Sequence, residues 1–405
     1  MTPALGYSKM KDSGIPWVGF VPNDWEIVRL QSQLFEVNEN NNPVKTTQIL
    51  SLTNKLGVIP YEDKGNQGNK SKEDLTGYKI AYPDCIVANS MNILIGSVGL
   101  SRYYGCVSPV YYVFKAKEDA NINFLNYLFS LPSFQKELRK FANGILEIRL
   151  RVSAGNILKR KIALPPSKEQ LAIVTYLDAQ CAKIDEIIAE AKASIEDYKK
   201  WKASIIYEAV TKGLDPDVEM KESGVQWIGQ MPSTWGLKKA KNCVSITNGS
   251  DPKTEGNIPV YGSGAESFKT CGEYKNGPAV LIGRKGATLH IPHYISGRYW
   301  NVDTAFDVRA KECFSLKYYY YLACSFDYKY YISQTTLPSM TQTNYNNICL
   351  PFPPAIVQEE ICRFLDNSIA KIDELITEKQ SLISDLESYK KSLIYEVVTG
   401  KRRVC

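Results

Sequence analysis

Two stretches of the chain occur twice, interleaved with two stretches that do not match each other. Residues 10–22 (MKDSGIPWVGFVP) return at 220–232 (MKESGVQWIGQMP), offset by 210, and residues 165–211 return without insertion at 353–399, offset by 188. The second pair shares a frame: Pro-Pro, Gln170/Gln358, Ile173/Ile361, Leu177-Asp178/Leu365-Asp366, Ile184-Asp185-Glu186/Ile372-Asp373-Glu374 and Ile206-Tyr207-Glu208/Ile394-Tyr395-Glu396. The order is constant, variable A, constant, variable B, constant. Such a chain holds two different surfaces on one repeated frame.

After Leu177 the apolar positions are Leu177, Cys181, Ile184, Ile188, Ala191, Ile195, Tyr198, Ile205 and Ala209. Alternating steps of four and three over about five heptads describe an a/d seam. The second copy places Leu365, Ile369, Ile372, Ile376, Lys379, Ile383, Leu386, Leu393 and Val397 at the same positions, and Lys202 and Lys390 fill the one skipped seam position in each. A helix of ~35 residues is about 50 Å long and cannot bury such a stripe alone. The matched stripes predict that the two helices pack on each other, antiparallel, with the paired lysines setting register. Ser167 and Gln170 stand in capping-box spacing before the first helix, while Ala355 replaces the serine in the second copy, which predicts a weaker cap there. Short helices at 168–176 and 356–364 are expected to run into the long ones.

One copy of MK(D/E)SG lies at the start of the chain and the other follows the first long helix. Joining the ends would give two equal units, which predicts pseudo-two-fold symmetry, a circular arrangement and termini close together.

At 405 residues and 44% apolar content the chain is long enough for two or three folded domains. It has neither a signal-peptide pattern nor a run long enough to span a bilayer, so a cytoplasmic protein is expected. The net charge of +6 is uneven: residues 25–161 carry 18 basic and 12 acidic side chains, and 236–348 carry 13 and 8. The excess positive charge falls in the variable parts, where a polyanion would bind. The ten cysteines show no CxxC pairs and read as free thiols, and the only histidines, His290 and His293, have no co-ligand nearby, so no metal site is expected.

No catalytic signature is found. GxxxxGK[ST] is absent, Gly283-Arg284-Lys285-Gly286 is too short to cradle phosphate, and Gly262-Ser263-Gly264 lacks the third glycine of a dinucleotide fingerprint. The Asp/Asn-Pro-Pro-aromatic motif of amino-methyltransferases is missing, and two histidines in one segment leave little for a Ser-His-Asp triad. No catalytic residue and no cofactor of its own are assigned to this chain.

Variable A alternates short apolar runs with turns (48–52, 79–82, 85–88, 105–107, 110–114) and then reads as helical over 123–141; variable B does so at 258–261, 279–282, 288–292 and 304–308, with a Tyr-rich helix at 316–331. Both read as α+β. Side chains suited to base edges and phosphates gather at the turns. In A they are Ser51, Thr53, Asn54, Asn89, Ser90, Asn92, Arg102, Tyr103, Arg149 and Arg151; in B, Asn248, Ser250, Ser263, Arg284, Lys285, Thr288, Ser339, Thr341 and Gln342.

The chain resembles, over essentially its whole length, the specificity subunit of type I restriction-modification systems. The resemblance rests on SGIPWVGFVPNDW with SGVQWIGQMPSTW, LPPSKEQLAIVTYLD with FPPAIVQEEICRFLD, YEAVTKG with YEVVTGK, IPVYGSGA and VLIGRKGAT in B, and GCVSPVYYVF in A. It implies two target-recognition domains that each read half of a bipartite, asymmetric double-stranded DNA sequence, set apart by two antiparallel helices. It further implies two modification subunits that bring S-adenosylmethionine and methylate adenine, docked on the repeated regions. Two restriction subunits that use ATP and Mg²⁺ to translocate and cleave complete the implied complex, a phage-defence system. Ala355, Ile356 and Val357 replace the more usual approach to Gln358, and Lys379 interrupts the second seam.

The expected fold is α+β: two globular α/β recognition domains and a long-helix pair forming an intramolecular coiled coil. The expected division is an N-terminal repeated segment at 1–24, a recognition domain at 25–161, a helical region at 162–219, a second recognition domain at 220–348 that opens with the repeated 220–235, and a second helical region at 349–405. Two rivals are a specificity subunit for a fused methylase-nuclease and a coiled-coil scaffold without enzyme partners. A third, in which the chain itself methylates or cuts DNA, predicts binding of S-adenosylmethionine or dependence on Mg²⁺.

Overall fold

A computed structural model describes residues 6–53, 56–65, 73–143, 150–264, 266–332 and 338–404. The chain forms two compact units, Met1–Ala189 with Ile383–Cys405, and Glu190–Leu382. Each unit therefore holds one variable domain, one MK(D/E)SG segment and a part of each long helix.

In the first unit Met10–Asp12 and Phe20–Pro22 form a hairpin with Met10 opposite Pro22. Its loop carries Ile15 and Val18, which are buried with Val21 and Trp25 in one cluster with Leu393, Val397 and Val398 near the end of the second long helix. The Tyr395 hydroxyl donates to the Trp17 carbonyl at 3.3 Å, and the Lys401 ammonium donates to the carbonyls of Val18 (2.8 Å) and Phe20. The N-terminal segment thus sits on the C-terminal end of the chain, as the circular reading requires. In the second unit the same junction is covalently continuous: the Tyr207 hydroxyl donates to the Ile228 carbonyl at 3.1 Å.

The first variable domain is closed at its base by Glu26–Arg29 paired antiparallel with Lys161–Leu164. Inside lies an antiparallel sheet in the order Leu34–Glu36, Tyr111–Ala116, Cys85–Asn89, Val98–Ser101. All five residues of Cys85–Asn89 are buried, which explains the unbroken apolar run CIVA. Helices Ile122–Ser130 and Pro132–Arg139 cover the sheet with Phe124, Leu125, Leu128, Phe129, Phe134 and Leu138. The single helix read over 123–141 is split because Pro132 lacks the N–H that would continue the first helix and instead opens the second.

The second variable domain is closed by Gly236–Lys239 paired with Cys349–Phe352. Its sheet runs Val244–Asn248, Ala305–Ala310, Ala279–Gly283, His293–Ile295. In both domains the four strands, numbered along the chain, lie in the order first, fourth, second, third. Two segments without matching sequence therefore build one topology. The second domain adds a sheet of Ser267–Cys271, Ile258–Tyr261, Arg298–Asn301 and Lys275–Asn276, with one parallel pair. Residues 288–292, read as a strand, form a turn, and the strand starts at His293.

The long helices are Ser167–Lys212 and Ala355–Val398, each continuous from its first turn, so the short preceding helices are simply their beginnings. The capping reading is corrected too. The Gln170 side chain donates to the Pro165 carbonyl at 2.8 Å, and Gln358 donates to Pro353 at 2.9 Å. Both copies start through this glutamine–proline bond, which involves neither Ser167 nor Ala355.

Along the seam, Leu177, Ile184 and Ile188 share the buried cluster of Leu393, with Ile383 packed at its margin. In the second unit Leu365 is buried with Ile206, Ala209 and Val210, and Ile205 packs against them. Ile195 and Ile372 are also buried, while Ile376 is half-buried. Among the described residues six cysteines are buried as free thiols, whereas Cys313 and Cys324 are exposed. Among the described residues no helix is long and apolar enough to cross a membrane.

Candidate nucleic-acid interface

In the second domain three separate segments meet at one rim of the sheet. The Val244–Asn248 strand delivers Asn248, the Ala279–Gly283 strand runs into Arg284 and Lys285, and 339–342 crosses beside them. Backbone bonds fix this meeting: Met340 N–H to Arg284 O at 2.9 Å, Gly286 N–H to Pro338 O at 3.0 Å, and Arg284 N–H to Thr304 O at 2.7 Å. Gly283 is required here, since a Cβ would lie 2.2 Å from the Leu289 Cα. The buried Tyr345 hydroxyl donates to the Gly283 carbonyl at 2.8 Å, and burial pushes its phenol up, so it stays a donor.

The rim encloses an open cleft of 380 Å³ lined by Asn248, Arg284, Lys285, Ser339, Thr341 and Gln342, with Phe306 and Met340 at its floor. These are six of the nine residues singled out in variable B. Thr341 caps the helix Gln342–Asn347 by accepting the Asn344 N–H at 3.1 Å, and the Gln342 amide is turned to the Ile246 carbonyl. Ser263 and Thr288 lie 3.2 Å apart next to Gly286. Arg284 donates to the Asp303 carbonyl at 3.3 Å, while Lys285 and Asn248 are exposed. Two cations with neutral hydroxyl and amide groups around a concave rim suit a phosphate chain and the base edges beside it. Ser250 stands apart on the next turn, its carbonyl taking the Trp300 indole N–H at 2.7 Å.

The first domain has the same rim. Val152 N–H donates to Ser90 O at 3.1 Å, the counterpart of the Met340–Arg284 bond, and Arg151 pairs with Asn143 through both backbone bonds. Asn89, Ser90, Asn92 and Arg151 are thereby brought together. Asn89 is turned inward, its Oδ1 accepting the N–H groups of Met91 (3.0 Å) and Asn92 (3.3 Å), and Ser90 is buried, so Asn92 and Arg151 are the exposed members. Ser51 and Thr53 lie on the hairpin of Leu50–Thr53 and Gly57–Pro60, where the Thr53 hydroxyl accepts the Leu56 N–H at 2.9 Å. Arg102 and Tyr103 lie on an exposed turn held by Ser101. Asn54 and Arg149 fall outside the described residues.

Ser153 was missed by the sequence reading. It caps the helix Ala154–Leu158, accepting the Asn156 N–H at 3.2 Å just as Thr341 accepts that of Asn344. The 188-residue offset, extended upstream of Pro165, pairs Ser153 with Thr341 and would have found it.

The sequence model of the family described as type I restriction modification DNA specificity domain matches residues 22–197 and 234–384. Two relatives come from Methanocaldococcus jannaschii. The type I restriction enzyme MjaVIII specificity subunit is 25% identical over 95% of this chain and 94% of its own, and the putative MjaX specificity subunit is 21% identical over 96% of each. Among solved structures, a chain from work on complex assembly and conformational transition of the type I R-M system is similar with a TM-score of 0.73 at 14% identity, covering 93% of this chain and 98% of that one. The HsdS subunit from Thermoanaerobacter tengcongensis is similar with a TM-score of 0.52 at 16% identity, covering 94% and 98%. With both variable domains and most of the two long helices matched, this chain belongs to the type I restriction-modification DNA specificity family.

Proposed function

We propose that the chain is the DNA-reading, non-catalytic subunit of a cytoplasmic type I restriction-modification complex, in which each recognition domain reads one half of a bipartite, asymmetric duplex target. The observation that carries this reading is one rim built twice with different side chains: Asn92 and Arg151 in one domain, Asn248, Arg284, Lys285 and Ser339 in the other. Equal scaffolds with unequal contact groups read unequal half-sites.

Two methyltransferase subunits dock on the repeated helices, and two restriction subunits join through them. S-adenosylmethionine, ATP and Mg²⁺ belong to those partners. Supporting this, Trp201 and Tyr389 occupy repeat-equivalent helix positions and are 52% and 50% exposed, so each leaves about half of a large aromatic surface uncovered by the chain.

The test is a genome-wide map of adenine methylation in a host that expresses this chain with its modification partner, against the same host without the chain. A new interrupted, asymmetric motif is expected. No new motif from an active, bound partner would overturn the reading. Replacing residues 236–348 with the corresponding domain of a relative should change one half-site only.

A further inference from the structure

Each recognition domain is tied to its long helix by the same pair of side chains. In the first unit the Tyr127 hydroxyl donates to Asp178 Oδ1 at 2.6 Å, and in the second the Tyr321 hydroxyl donates to Asp366 Oδ1 at 2.6 Å. Asp178 and Asp366 are repeat mates, offset by 188, but the tyrosines belong to the variable segments that do not match. They are nonetheless equivalent in the fold. The helices Ile122–Ser130 and Leu316–Ser325 start at capping residues Asn121 and Ser315, both offset by the same 194 residues as Tyr127 and Tyr321. Each tyrosine thus stands six residues after its cap and is followed by leucine.

We propose that Tyr127–Asp178 and Tyr321–Asp366 are one positioning joint built twice, which sets the orientation of each recognition domain on its helix and so the spacer length accepted between half-sites. This inference rests on the reading of the chain as a bipartite DNA reader. A hydrogen bond to a carboxylate is short and directional, and one placed where a variable domain meets a constant helix resists rotation about the closing strands more than apolar packing does. Burial pushes both phenols up, with the carboxylate adding to it, so the donors stay protonated throughout the working range. The joints differ in their surroundings: Asp366 also receives the Lys317 ammonium at 2.6 Å, whereas Asn123 stands at the matching place in the first domain, where the Tyr127 hydroxyl also meets the Cys181 thiol. The joint in the first unit is the more easily loosened. None of the four residues lies on the proposed DNA rim.

The experiment maps N6-methyladenine in the host genome with the full chain and its modification partner, for wild type, Tyr127→Phe, Asp178→Ala and Asp178→Asn, and for the matching changes at Tyr321 and Asp366. Melting of each purified complex is recorded beside it. Tyr127→Phe and Asp178→Ala should keep the half-site bases but raise methylation at spacers one base pair longer or shorter by roughly tenfold, equivalent to about 1.4 kcal/mol. Asp178→Asn keeps an acceptor for the phenol and should retain the wild-type spacer. Tyr321→Phe should have the smaller effect. An unchanged spacer in Tyr127→Phe and Asp178→Ala, altered half-site bases, or Asp178→Asn behaving as Asp178→Ala would each overturn the joint. Asp178 is exposed, so its variants remain informative if a tyrosine variant melts early. A wild-type map without any bipartite motif would instead overturn the underlying reading of function.

Discussion

Lys390 and Asp185, 205 residues apart, form an ion pair between the two long helices, with the ammonium 2.6 Å from both carboxylate oxygens. Their repeat mates do the same with roles exchanged: Lys202 lies 2.7 and 2.8 Å from the oxygens of Asp373. The lysines that interrupt the seam thus reach across to the aspartates of the Ile-Asp-Glu motif, one pair within each unit.

These pairs set register more than stability. The Lys390 and Asp185 side chains are 27% and 59% exposed, so Lys390→Met should cost less than about 1 kcal/mol in urea unfolding. Leu393→Ala, in the adjacent buried cluster, should cost about 2–5 kcal/mol. Exchanging the charges, Asp185→Lys with Lys390→Asp, should recover most of what either single change loses. A loss above ~2 kcal/mol for Lys390→Met would contradict a partly solvated pair.

The helices and their antiparallel pairing were legible because a seam is written in local periodicity and was written twice. The likeness of the two recognition domains was not. Their strands are three to six residues long, and what matches is the order of pairing, which no local pattern carries. The rim was partly legible. Arg284, Lys285 and Ser339 were singled out as turn residues, but their meeting depends on backbone bonds between distant segments. Asn89 and Thr53 were singled out for the same reason, yet they serve their own turns, because short polar side chains bond the nearest free backbone groups. The tyrosine–aspartate bonds were invisible until the two folds showed Tyr127 and Tyr321 at equivalent helix positions.

The rim makes a separable prediction about salt. Arg284→Ala and Lys285→Ala should each reduce the slope of log affinity against log salt by about 0.9 if they hold phosphates. Asn248→Ala should leave the slope alone and weaken discrimination at one base pair by roughly 1–3 kcal/mol. Binding of the assembled complex to matched and single-mismatch duplexes across a salt series measures both. Unchanged slopes for both cation variants would remove the rim from the DNA path.

Stability of the second unit should fall in mild acid. Burial holds the His293 imidazole below its ordinary value of 6.5, with its ring 5.1 Å from that of Tyr261. The folded state therefore binds a proton less readily than the unfolded state. Its contribution is complete above pH 6.5 and declines as pH falls below it. His293→Gln should flatten the difference in urea midpoint between pH 7.5 and 5.5. An equal difference in wild type and variant would assign the acid sensitivity elsewhere.

The duplicated helix aromatics predict how partners count. Trp201 and Tyr389 are repeat mates, each half-exposed, and an aromatic anchor at the centre of an interface is worth about 2 kcal/mol or more. If the proposed complex of two methyltransferase copies forms, Trp201→Ala alone should leave one copy bound, and Tyr389→Ala should do likewise at the other site. The double variant should lose both while keeping its melting temperature, because exposed rings add little to the fold. Mass measurement of the purified complexes at micromolar concentration reads the count directly. Two copies retained in the double variant would place the docking surface elsewhere on the repeated helices, and both copies lost in either single variant would mean that the two partners hold each other in place.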